Sequence, residues 1–104
     1  MGRVVEVSWE EKMYPIVRAE LAKYAMKYRS PRFTLSLNRF VKHTRLRNYV
    51  PLLSNGMYHP YTVSKLRPLL IKAADEIGLS IVSMEKKRRK WILVFMKPSS
   101  GLNQ

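Results

Sequence analysis

The chain has 104 residues, 20 of them Lys or Arg against 7 Asp or Glu, for a formal net charge of +13 and a pI near 10.4, an imbalance that points to a polyanionic partner. With 46% apolar residues and four glycines it lies outside the disordered and fibrous classes and is long enough for one ordinary core. The absence of cysteine excludes disulfides, thiolate metal sites and thiol catalysis, and it suits a reducing compartment or a thermophile.

Val4, Val5 and Val7 form a short β-prone opening. Ser8 followed by Glu11 fits a capping box, and Trp9, Met13, Ile16, Val17, Leu21, Tyr24, Ala25 and Tyr28 recur at helical spacing, so a first helix is predicted over 9–28, with Pro15 either kinking it or starting its regular part. Ser30 and Pro31 end it. Residues 32–35 read as an extended piece, and Ser36 as the N-cap of a second helix with Leu37, Phe40 and Val41 on one side and Arg39, Lys42 and Arg45 mostly on the other. From 47 to 61 the pattern breaks at Pro51, Ser54-Asn55-Gly56 and Pro60; an ordered connection with a short helical turn is expected, part of it docked through Leu46, Tyr49, Val50, Leu52 and Leu53.

Thr62 is the expected cap of a third helix that buries Val63, Leu66, Leu69 or Leu70, Ala73 and Ile77 and stops at Gly78. Leu79, Ile81 and Met84 then lead into a strand, Glu85 to Lys90 into a charged turn, and Trp91 to Met96 into a returning strand. Trp91, Leu93 and Phe95 share one face of that strand and Ile92, Val94 and Met96 the other, so both faces need cover. Trp9 and Trp91 are expected in the core. The fold class is therefore α+β: a small single domain over 1–97 of three helices and a C-terminal β-hairpin, followed by a flexible tail at 98–104.

The charge is concentrated in two acid-free blocks. One holds Arg29, Arg32, Arg39, Lys42, Arg45 and Arg47; the other holds Lys86, Lys87, Arg88, Arg89, Lys90 and Lys97. Like charges repel, and surfaces tuned for solubility alone usually intersperse both signs, so both blocks are expected to meet an external polyanion. The third helix carries Lys65, Arg67 and Lys72 first and Asp75 and Glu76 last, so its N-terminal part is the cationic one. Tyr49, Tyr58, Tyr61 and His59 punctuate the 47–61 connection, where ring packing is the expected use and base stacking the alternative. His43 is expected to be a plain surface residue.

In element order and charge placement, residues 9–97 resemble the winged helix-turn-helix DNA-binding family. The resemblance implies a third helix that enters the major groove, presenting Thr62, Ser64, Lys65 and Arg67, and a wing that lies on the phosphate backbone or minor groove with Lys86, Lys87, Arg88, Arg89 and Lys90 at its tip. The long 47–61 connection departs from the family's tight turn and makes Arg39, Lys42, Arg45 and Arg47 alternative primary contacts. Double-stranded DNA is the expected partner, with RNA as the alternative and a homodimer as the expected pairing.

No catalytic set, metal-ligand spacing, phosphate-binding loop or cofactor motif is visible, so neither an enzyme nor a cofactor is expected. No run approaches the roughly 20 apolar residues that span a bilayer, and residues 1–10 lack a leader's basic and apolar regions. A cytoplasmic or nucleoid-associated protein is expected.

Overall fold

Ser8 opens the first helix through the reciprocal cap its spacing predicts. In the computed structural model, which describes residues 8–88 and 90–98, the Glu11 amide donates to Ser8 Oγ at 3.1 Å and the Ser8 amide to Glu11 Oε1 at 3.2 Å. Two amides that a helix start leaves open are thereby satisfied. Helix α1, Trp9–Met26, buries Met13, Val17, Leu21 and Ala25 along one stripe and runs unbroken through Pro15. It ends short of the expected Tyr28, whose ring instead stacks on Phe33 with centroids 5.2 Å apart.

Strand β1, Arg32–Ser36, turns Phe33 and Leu35 inward. Ser36 caps α2, Leu37–Lys42, by backbone geometry without a side-chain bond, and Leu37, Phe40 and Val41 are buried as the pattern predicts. Thr44 Oγ1 donates to the Phe40 carbonyl at 2.7 Å and accepts from the Leu46 amide at 3.2 Å. One hydroxyl thus closes α2 and starts a 3-10 turn, Arg45–Asn48.

The connection that follows is folded into a knuckle. Leu52 bridges Tyr58, the Leu53 amide donates to the Met57 carbonyl at 2.7 Å, and the Gly56 amide donates to the Leu53 carbonyl at 2.9 Å. The Met57 amide donates to Asn55 Oδ1 at 3.0 Å. Gly56 closes the turn at φ +83°, a conformation that L side chains rarely adopt.

The start of the third helix corrects the sequence expectation. Helix α3 spans Pro60–Glu76, and its N-cap is His59, whose Nδ1 accepts from the Thr62 amide at 3.3 Å; Thr62 is not the cap. Pro60 opens the helix instead of breaking the chain before it, because its fixed φ and missing N–H suit the first helical position. The helix buries Val63, Leu66, Leu69, Leu70, Ala73 and Ala74. At its far end Gly78, at φ +88°, lets the Leu79 amide donate to the Ala74 carbonyl at 2.8 Å and its own amide to the Asp75 carbonyl at 3.2 Å, a Schellman closure.

Strands β2, Ser80–Lys87, and β3, Lys90–Met96, form the hairpin. The expected charged turn over 85–90 is narrower than the sequence implies: pairing continues through Lys86↔Trp91 and Lys87↔Lys90, so only positions 88 and 89 lie between the strands. Sheet order is β1-β3-β2, all antiparallel, with an irregularity between Ile81 and Ser83. Leu93 and Phe95 join Phe33, Leu35 and the helix stripes in one buried cluster. On the opposite face Ile92, Val94 and Met96 are half-buried. The Val4–Val7 segment and the tail from residue 99 lie outside the described residues. No described helix is long and apolar enough to cross a membrane.

Candidate nucleic-acid interface

The two cationic blocks, far apart in the chain, meet at the knuckle. One concavity of about 440 Å³ is lined by Arg39 and Lys42 of α2, by Leu52, Gly56, Met57 and Tyr58 of the knuckle, and by Lys90 of the hairpin. A second, of about 160 Å³, is lined by Leu53, Asn55, Met57, Tyr58, Pro60, Val63 and Ser64 together with Arg88, Lys90 and Trp91. Asn38, Met57, Tyr58 and Lys90 border both, so the two adjoin across the knuckle as halves of one cleft, and among the described residues neither lining includes an Asp or Glu.

The hairpin end of the cleft carries two local costs. Lys87 lies directly opposite Lys90 in the ladder, and like charges so placed destabilise a strand pair. Arg88 holds φ +49°, a left-handed conformation that a side chain disfavours. Glu85, on the same strand, is paired with Lys87 at 3.5 Å. Arg89 lies outside the described residues.

The α3 cations are held differently. Ser64 lines the cleft, but Lys65 lies over the Trp9 ring at 4.6 Å and the Tyr61 ring at 5.8 Å, and Arg67 stacks over Trp91 at 4.0 Å with Lys86 5.8 Å from the same ring. Arg67 Nε is buried with no hydrogen-bond partner among the described residues. Trp9 and Trp91 are therefore not core residues as expected: both are half-buried at the edge of the cluster, where an indole face can hold a cation.

Arg45 faces α1. Its Nε donates to Glu20 Oε2 at 2.7 Å, and Lys23 Nζ stands 3.6 Å from the same oxygen. Burial alone pushes the Glu20 carboxyl up, but the Arg45 hydrogen bond and the charges of Lys23 and Arg45 outweigh it and hold the group below its ordinary value of 4.5. Arg47 is exposed on the same 3-10 turn, and His43 is exposed as expected. Of the connection's rings, Tyr58 packs against the core while Tyr49 and Tyr61 stay exposed, and His59 serves as the α3 cap. At the other end of α3, Glu76 accepts from the Tyr14 hydroxyl and pairs with Arg18 at 3.4 Å, remote from the cleft lining.

Sequence reasoning missed Asn38, Leu52, Leu53, Asn55 and Met57 as parts of this surface. The available signal was the Leu-Leu pair set immediately before Ser54-Asn55-Gly56, a reverse-turn sequence; Leu46 and Val50 dock as expected, whereas Tyr49, Leu52 and Leu53 are exposed because the turn's own backbone bonds hold the segment. No protein-family model, curated protein or solved structure matches the chain.

Proposed function

We propose that this protein binds double-stranded DNA through the cleft between α2, the knuckle and the hairpin, as a small transcription regulator or a chromosome-associated architectural factor. One observation carries the reading: Arg39 and Lys42 from the first cationic block and Arg88 and Lys90 from the second line two adjoining concavities that share Lys90 and hold no acid among the described residues. Crowded cations with no internal counterion bind phosphate at the gain of relieved repulsion and released counterions. The element order supports the winged-helix reading, since the first turns of α3, through Ser64, and the hairpin apex border the same cleft. Phosphate contacts would dominate such a surface and supply affinity with little sequence information.

The test is a titration of duplex DNA, single strands and structured RNA across salt. If each of the four lining cations meets one phosphate, log K for duplex falls with log salt at a slope of about −3.6, or about 150-fold weaker binding for a fourfold rise in salt. A slope nearer −6 means that Arg47, Lys86, Lys87 or the ring-held Lys65 and Arg67 join the contact. Tighter binding of structured RNA than of duplex at equal salt overturns the DNA reading.

A further inference from the structure

We propose that the knuckle is a wedge: Leu52, Leu53 and Met57 enter a base step of the duplex, part its stack and kink it. The proposal rests on the duplex-DNA reading above.

These side chains are 61%, 39% and 47% exposed, in a chain that otherwise buries most of its leucines. Their exposure is not that of a loose loop. The bridge to Tyr58, the two backbone bonds between Leu53, Gly56 and Met57, and the Asn55 side-chain bond fix the turn. Apolar groups held rigid before binding lose little conformational freedom on insertion.

The setting of the knuckle selects its occupant. Leu52 opens on the α2 side of the cleft beside Arg39 and Lys42; Leu53 opens on the hairpin side beside Arg88; Met57 and Lys90 border both. An apolar ridge therefore stands between two cationic banks. A small anion would neutralise the banks and leave the ridge wet. A nucleic-acid duplex supplies both chemistries at once, two phosphate rails with an apolar stack of bases between them, and aliphatic wedges flanked by cations are how proteins unstack and bend it.

The experiment uses the whole chain and a short duplex carrying fluorophores at its ends and 2-aminopurine at an internal step, with Leu52→Ser/Leu53→Ser/Met57→Ser as the variant and circular dichroism to check that both proteins are folded. Wild-type binding is expected to raise end-to-end energy transfer and 2-aminopurine emission together. It is also expected to favour a duplex with a central mismatch over the intact one by about tenfold, because part of the unstacking has already occurred. The variant is expected to bind intact duplex more weakly than wild type, lose both fluorescence responses and lose the mismatch preference. Wild-type binding with neither response, or a variant that still bends the duplex, overturns the wedge while leaving the DNA reading in place. Absence of duplex binding at low salt overturns both. Wild-type self-association in sedimentation that the variant abolishes overturns the wedge in favour of a knuckle-to-knuckle contact.

Discussion

Glu20 is buried on α1 with two cations on one carboxylate oxygen, and only one of them, Arg45, makes a short directional bond. An exposed ion pair contributes about 1 kcal/mol or less, whereas breaking a buried one costs about 3 kcal/mol or more. Here one partner is buried, the other is half exposed and Lys23 remains as a substitute, so Arg45→Ala is expected to cost about 2 kcal/mol at neutral pH by urea denaturation. The pH dependence follows from the lowered Glu20 pKa. The native state binds that proton less readily than the unfolded chain, so the pair's stabilisation is present above the ordinary carboxyl value of 4.5 and is lost as pH falls through the native value. The gap between wild type and Arg45→Ala should therefore close on acidification; a gap that is constant from neutral to strongly acid pH would show that the pair is not its source. In sequence Arg45 is indistinguishable from Arg39 and Lys42, because charge and helical spacing say nothing about an acid 25 residues upstream. Only tertiary packing separates a cation that serves the fold from cations that line the cleft.

The hairpin apex concentrates charge in a backbone that resists it. Arg88 at φ +49° carries a left-handed strain of about 1 kcal/mol, and glycine there would remove the strain while loosening the unfolded chain by a similar amount. Arg88→Gly is accordingly expected to move stability by less than about 1 kcal/mol yet flatten the duplex salt slope by about 1. Urea midpoints and salt titrations on the same preparation check both halves; an unchanged slope removes Arg88 from the contact. The elements themselves were largely readable from local chemistry. The Ser8/Glu11 cap, the Met13 to Ala25 stripe and the Gly78 stop each act within a few residues, where sequence and geometry coincide. The start of α3 was hidden because Pro60 can both break a chain and open a helix, and the choice depends on His59 turning its ring toward Thr62. The hairpin strands are longer than their charged sequence suggests, since ladder pairing continues through Lys86↔Trp91 and Lys87↔Lys90 despite the like charges of the last pair.

For the molecule as a whole, what matters is that the fold sorts its charges. Glu20 is paired with Lys23 of α1 and Arg45 of the 3-10 turn, Glu76 with Arg18 of α1 and Glu85 with Lys87, and the described charged residues of the cleft lining are all cations. The two blocks are visible in the sequence, but not that Arg39, Lys42, Arg88 and Lys90 share the cleft among the described residues, because the knuckle that joins them is formed by backbone bonds across a segment with no periodicity. Neutralising one cation from each block, Lys42→Gln with Lys90→Gln, is expected to flatten the duplex salt slope by about 2, each contributing about 1, since counterion release counts phosphates independently. A double variant no flatter than either single one would mean that the two cations do not engage the same duplex.

Trp9 and Trp91 are the only indoles in the chain, and each lies beneath a cation of α3, the helix whose first turns reach the proposed contact: Lys65 over the one, Arg67 over the other. A polyanion that draws either cation away strips a positive charge from an excited-state dipole, so ultraviolet emission of the unlabelled protein becomes a gauge of occupancy. Phenylalanine at one position or the other would then tell which flank responds, the α1 side or the hairpin side.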